Sequence, residues 1–152
     1  MLSLKKLKNQ GFTIVELLIV IVVIGILATL VITTYNGVQS KARDTKRQTD
    51  INAIQGQVEA YNTNAGFYPT LAQMNTAGFR STNMKGLDTN ALQDPQGGAP
   101  TLVASPVAKS YAYAPAPSGC DDTATSCTSY TLTATLENNI NGLPTYSKTG
   151  TD

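Results

Sequence analysis

The stretch GFTIVELLIVIVVIGILATLVI, from Gly11 to Ile32, decides the fold of this 152-residue chain. It contains a single charged residue, Glu16, and no proline. The residues from Phe12 onward would form a helix of roughly 32 Å, close to the roughly 30 Å hydrocarbon core of a bilayer. The stretch therefore predicts a membrane-spanning helix over residues 12–32.

The residues before this helix predict its orientation. Lys5, Lys6 and Lys8 precede the apolar stretch, and no acidic residue does. By the positive-inside rule the amino end stays in the cytoplasm, and everything after about residue 33 is delivered outside. An ordinary secretory signal would have a shorter apolar region and end in a small-residue cleavage site, which is not evident here. The bulk of the protein is therefore expected to be extracytoplasmic.

The composition argues against most enzyme chemistry. The chain is 41% hydrophobic and 14% charged, and it has no histidine, which excludes histidine bases, histidine-activated nucleophiles and histidine-ligated metals. No nucleophile, phosphate-binding or metal-ligating constellation stands out. A net charge of +1 does not indicate nucleic acid as the main partner. We therefore expect a structural protein without catalytic activity, cofactor or metal.

The sequence GFTIVELL, residues 11–18, follows a lysine-rich leader and opens a long apolar helix. This arrangement resembles the amino terminus of type IV pilins and their pseudopilin relatives. The resemblance implies that a prepilin peptidase removes residues 1–11 by cutting after Gly11 and then N-methylates Phe12. It also implies that Glu16 is the assembly residue of the filament.

Electrostatics supports that role for Glu16. Cleavage would create a positive α-amino group on Phe12, with a reference pKa near 8, at the end of an apolar helix. In a low-dielectric environment, a carboxylate paired with a neighbouring subunit's amine is far more stable than either ion alone. The alternative is a carboxylate that only reaches out to the lipid headgroups.

The resemblance further implies a homopolymeric filament, built by a pilus assembly platform and its ATPase machinery. The precursor would lie in the cytoplasmic membrane with its amino end inside, and the assembled form would be an extracellular pilus supporting adhesion, twitching motility or DNA uptake. Two alternatives are a DNA-binding competence pilin and a pseudopilin of a type II secretion system. Without the three leader lysines, the eleven basic residues fall to eight against ten acidic ones, so bulk charge does not support nucleic-acid binding.

Gly25 interrupts the apolar stretch where leucine would be expected. Its missing side chain allows either close helix packing or local loosening of the backbone, and both interpretations stay open. Many relatives carry a proline later in this helix, but this chain has none before Pro69.

Residues 33–62 predict an amphipathic continuation of the same helix, ending near Tyr61. Ile51, Ile54 and Val58 recur at helical spacing, so one face needs a globular partner. Upstream lies a mixed-charge cluster with members three residues apart, for which we expect a solvated face, with contacts between subunits or to lipid headgroups as the alternatives. Its members are Lys41, Arg43, Asp44, Lys46, Arg47 and Asp50.

Residues 63–152 predict a small head that begins with turn-rich loops and ends in strands. SYAYA at residues 110–114 and SYTLTATLE at residues 129–137 alternate in polarity, as expected of a half-buried antiparallel sheet. The apolar face of that sheet should lie on the helix stripe. The expected fold is therefore α+β and pilin-like, with a long amino-terminal helical spine packed against a small antiparallel sheet.

Cys120 and Cys127 flank six residues on the side expected to be extracytoplasmic, which favours a disulfide between them. Two thiols without histidine are a poor zinc set. Asp121 and Asp122 within the loop raise the alternative of calcium, but two adjacent acids fall short of the six to eight oxygens that calcium takes.

Overall fold

The computed structural model describes residues 11–121, 123–140 and 143–151. Apart from Gly11, the predicted leader lies outside these residues. The chain divides into two compact units, Met1–Val38 and Gln39–Asp152. The predicted α+β, pilin-like fold is confirmed, because the elements are a long amino-terminal helix and a small three-stranded antiparallel sheet.

Helix α1 runs from Ile14 to Ala65, so the predicted segments 12–32 and 33–62 belong to one helix. It ends at Gly66, whose φ of +79° is a conformation that glycine adopts without steric cost. The Gly66 amide donates to the Asn62 carbonyl at 2.7 Å and closes the last turn.

The second unit has one hydrophobic core between α1 and the sheet. Ile51, Ile54 and Val58 are fully buried, as the spacing predicts, and Tyr61 is partly buried at the edge of the same cluster. The sheet consists of β1 (Tyr111–Ala116), β2 (Ser129–Ile140) and β3 (Leu143–Thr151). The strands are antiparallel in the order β1-β2-β3, and the core-facing side chains are Tyr111, Tyr113, Tyr130, Leu132 and Ala134.

Strand β3 is missing from the sequence prediction, which ends the sheet at residue 137. Its sequence LPTYSKTGT lacks the apolar alternation of β2, because this edge strand contributes little to the core. Gly150 explains part of that pattern. A Cβ at this position would overlap the Tyr130 ring and the Glu59 carboxylate, so β3 approaches the core too closely for a larger residue.

The middle of the chain was predicted as long loops, but it forms short helices that contribute core side chains. Helix α2 spans Leu71–Asn75, α3 spans Ala77–Asn83, and a 3-10 helix spans Thr89–Leu92. Thr70 and Gln73 make a capping box at the start of α2, with hydrogen bonds of 3.2 and 2.8 Å. This T-x-x-Q pattern was a readable start signal that the sequence analysis missed.

The structure contains the predicted disulfide between Cys120 and Cys127, with Cα atoms 5.1 Å apart. Within its loop, the Asp121 carboxylate accepts hydrogen bonds from the amides of Thr123 at 2.9 Å and Ala124 at 2.6 Å. These bonds lower the pKa of Asp121 to about 2. Asp121 therefore serves a turn, and Asp122 lies outside the described residues.

Candidate functional site

The first unit presents an apolar surface that none of the described residues covers. Its large hydrophobic side chains, from Phe12 to Val38, are between 47% and 87% exposed. By length and composition, α1 qualifies as a membrane-crossing helix. Thr29 and Thr34 donate their hydroxyls to the carbonyls of Ile26 and Leu30 at 2.7 and 2.9 Å, so both polar groups are satisfied within the helix. The segment is therefore compatible with a lipid environment.

Glu16 is held at the amino end of α1 by Thr13. Glu16 Oε2 accepts hydrogen bonds from the Thr13 amide at 2.8 Å and from the Thr13 hydroxyl at 2.7 Å. In return, the Glu16 amide donates to Thr13 Oγ1 at 3.2 Å. This reciprocal arrangement is a capping box, and T-x-x-E before an apolar run is its sequence signature. Thr13 is the site residue that the sequence analysis missed.

The box leaves one carboxylate oxygen of Glu16 available. Both bonds from Thr13 reach Oε2, and no described residue hydrogen-bonds Oε1. The carboxylate also lies in the first turn of α1, where the helix dipole favours negative charge. Glu16 is thus preorganised, with one oxygen able to accept a hydrogen bond from a cation outside the chain.

The other predicted site residues of this unit lie before and after Glu16 in the sequence, and none of them hydrogen-bonds its carboxylate. Gly11 and Phe12 precede the helix, and the Phe12 side chain is 87% exposed. Outside its own stretch of helix, no described atom lies within 4 Å of the position that a Cβ on Gly25 would occupy, so packing against it would have to come from beyond the described residues. Cleavage after Gly11, methylation of Phe12 and assembly through Glu16 stay predictions.

Half of the mixed-charge cluster of the second unit is buried, and the expectation of a solvated face is wrong for Asp44, Arg47 and Asp50. These three residues are only 2–3% exposed. For Asp44 and Arg47, the reason is that residues distant in sequence contact them. Arg47 donates two hydrogen bonds to Asp94, at 2.7 and 3.0 Å, and one to Glu137 at 2.8 Å. The helical pattern of residues in the sequence does not by itself indicate these partners.

Asp44 completes the network by holding an irregular part of β2, where the register with β3 shifts between Thr135 and Ile140. Its carboxylate accepts from the amides of Glu137 at 2.9 Å and Asn138 at 2.8 Å, and from Arg47 at 2.8 Å. Burial opposes ionisation, but these donors outweigh it and lower the pKa of Asp44. Hydrogen bonds from Arg43 likewise lower the pKa of Glu137.

Asp50 uses different partners from those expected. It accepts hydrogen bonds from Lys46 and, at 2.9 Å, from the hydroxyl of the buried Tyr111. Burial, together with the nearby Asp50 charge, raises the pKa of Tyr111. Among the cluster members that are three residues apart, Asp44 and Arg47 form an ion pair, whereas Asp50 pairs with Lys46 and not with Arg47. The network therefore stabilises the head, and we assign it no chemistry.

Comparison with known proteins distinguishes the Thr13–Glu16 box of the first unit from the ion network of the second. A family described as the prokaryotic N-terminal methylation motif matches residues 6–32, which include Gly11, Phe12 and the Thr13–Glu16 box. The amino terminus of the chain is therefore similar to that of type IV pilin-like prepilins. This family match covers the first unit's apolar helix and leaves the head outside it.

Several proteins similar to this chain are named type II secretion system core protein G. The protein from Dickeya chrysanthemi is 38% identical over 66 residues, covering 43% of each chain. The Escherichia coli K12 protein is 39% identical over 66 residues, 43% of this chain and 46% of the relative. The Vibrio cholerae protein is 38% identical over 71 residues, 46% and 49% respectively. The chain thus spans about half the length of these relatives, and no solved structure matches it.

Proposed function

We propose that this protein is a prepilin and, once processed, a structural subunit of a type II secretion pseudopilus, a homopolymeric filament on the extracytoplasmic side of the cytoplasmic membrane. In this proposal a prepilin peptidase cuts after Gly11 and methylates Phe12, and the secretion machinery then polymerises the mature chain. The role is mechanical and needs no catalysis by the chain itself. The observation that carries the proposal is the exposed apolar helix with a single, preorganised carboxylate at its start.

The apolar helix needs two successive environments in this proposal. Full burial of a large aliphatic side chain is worth about 1.5–3 kcal/mol, so an uncovered helix of this kind would not persist in water. Lipid covers it first, after insertion. Copies of the same helix can cover it later, because a filament core offers apolar surroundings without lipid. The filament therefore forms without exposing this surface to water.

Glu16 supplies the polar part of the same argument. A carboxylate near the end of a membrane helix carries a cost, which the two hydrogen bonds from Thr13 reduce. Its Oε1 atom would then accept from the Phe12 amine of a neighbouring subunit. This contact would neutralise both charges in the filament core, where an unpaired amine would be strongly destabilising.

The relatives favour secretion over the surface pilus that the sequence analysis put first. Core protein G is named for type II secretion, and its similarity to this chain is the specific observation that separates the two roles. Adhesion, twitching motility and DNA uptake have no comparable support here. The excess of acidic residues after leader removal also weakens the competence-pilin alternative.

The test replaces the chromosomal gene with Glu16→Leu and compares it with Val22→Leu, a conservative change on the same helix. We expect Glu16→Leu to be cleaved and to accumulate in the membrane, while secreted proteins stay inside the cell and cross-linked multimers disappear. Val22→Leu should secrete normally. A strain in which the gene is deleted is a further arm of the test. If that strain secretes normally but loses long sheared fibres, the result would contradict the secretion role and favour the surface pilus. Equal multimer yields from all variants would contradict the Glu16 contact.

A further inference from the structure

Arg80 and Lys85 line a pocket of about 310 Å³ in the second unit, where α3 leads into the loop before the 3-10 helix. The hydroxyl residues Ser81 and Thr89 also line it. Its apolar lining includes Met84, which is 1% exposed. No lining residue is acidic, so the pocket combines two cations with hydroxyl groups and a small apolar wall.

The two cations lack the carboxylate partners that three basic residues of α1 have. Arg43, Lys46 and Arg47 are each in an ion pair. By contrast, no carboxylate among the described residues forms an ion pair with Arg80 or Lys85. The nearest acid in sequence, Asp88, turns its carboxylate to the Asn90 amide at 2.9 Å and caps the 3-10 helix. The positive charge at this pocket is therefore not neutralised within the described chain.

Arg80 is also held in position before any ligand binds. Its Nη1 atom donates to the Met74 carbonyl at 2.6 Å, and the side chain is half-buried. This one bond uses one of the five N–H donors of the guanidinium. The remaining donors are thus presented from a fixed group, which reduces the entropy lost on binding.

We propose that this pocket binds a phosphate oxyanion. Two cations match the charge of a dianionic phosphate, arginine provides the planar donor geometry that phosphate accepts, and the hydroxyls of Ser81 and Thr89 can donate further bonds. The volume exceeds that of phosphate alone, so the organic part of a phosphate ester would contact Met84 and Leu87. Free phosphate and a lipid phosphate headgroup share this chemistry.

The test titrates the full-length chain in detergent micelles with inorganic phosphate and follows amide chemical shifts. Saturable shifts are expected at residues 80–89. Because a hydrogen bond to a charged group is worth about 1.5–3 kcal/mol, Arg80→Gln should raise the Kd at least about tenfold. Lys85→Gln should raise it several-fold. Lys109→Gln, which removes an exposed charge elsewhere in the unit, should leave it unchanged.

A second titration with short-chain phosphatidic acid separates the two phosphate sources. A lower Kd than for phosphate, with added shifts at Met84 and Leu87, would identify a lipid headgroup as the ligand. An equal Kd would identify the free oxyanion. The proposal would be overturned if neither probe caused saturable chemical-shift changes. It would also be overturned if Lys109→Gln and Lys85→Gln weakened binding equally. Lys85 is exposed and makes no hydrogen bond within the described chain, so its variant tests binding even if Arg80→Gln disturbs α3.

Discussion

Replacing Arg47 with methionine tests whether the buried ion network holds α1 against the rest of the head. Arg47 is 2% exposed and donates to three carboxylates, those of Asp44, Asp94 and Glu137. Methionine retains much of the side-chain volume but removes the only cation that contacts Asp94 among the described residues. Asp44 and Asp94 would then be buried charges without their main counter-ion.

The expected cost follows from that burial. Removing one partner of a buried ion pair destabilises a protein by about 3–5 kcal/mol, because the remaining charge stays desolvated. Arg43→Met is the matched control on the same helix. Arg43 pairs with Glu137 at 23% side-chain exposure, where an ion pair is worth about 0–1 kcal/mol. Arg47→Met should therefore cost several times more free energy of unfolding than Arg43→Met.

Thermal unfolding of the full chain in detergent micelles, followed by near-ultraviolet circular dichroism of the core tyrosines, measures the difference. For a unit of this size, Arg47→Met should lower the Tm by roughly 10–20 °C and Arg43→Met by less than about 5 °C. The double variant Arg47→Met with Asp94→Leu should recover part of the loss, because it removes an unpaired charge. Equal Tm values for the two single variants would refute the reasoning.

Three further outcomes are expected of the head. Replacing Cys120 and Cys127 with serine should cost about 2–3 kcal/mol in free energy of unfolding and leave leader cleavage intact; two alkylatable thiols in the native protein would contradict the disulfide. Gly150→Ala should cost about 1–3 kcal/mol because its Cβ overlaps the core, and an unchanged Tm would argue against that close approach. The pKa values of Asp44 and Glu137 are lower in the folded than in the unfolded chain, so their ionised forms stabilise the head at pH values above the unfolded pKa. The Tm measured as a function of pH should therefore be flat above about pH 5 and fall below about pH 4.

The elements that the sequence predicts well are those whose signal is local. The apolar run after Gly11, the 3-4 spacing of Ile51, Ile54 and Val58, and the alternation in β2 each reflect burial of one element's own side chains. The T-x-x-E box at Thr13 is an equally local signal. The sequence analysis missed Thr13 because it considered only Glu16, the unusual carboxylate in an apolar run.

The ion network could not be predicted in the same way. Arg47 is separated from Asp94 by 47 residues and from Glu137 by 90, so nothing in the helix sequence indicates either contact. Spacing by three along α1 suggested pairs between neighbours, which is the usual arrangement on a solvated helix. Long-range partners instead bury this face. Edge strand β3 was missed for a different reason, because its sequence lacks the apolar alternation that predicts a half-buried strand.

The capping box has a consequence for how the precursor would be processed. The Gly11–Phe12 bond lies before the first helical residue, and the first main-chain helix bond runs from the Leu17 amide to the Thr13 carbonyl at 3.2 Å. A protease could therefore cut this bond without unwinding a turn. Every hydrogen bond between Thr13 and Glu16 lies downstream of the cut. Maturation would then remove the leader with its three lysines and add an ammonium group to Phe12, while the hydrogen bonds that hold the Glu16 carboxylate to Thr13 would stay as they are.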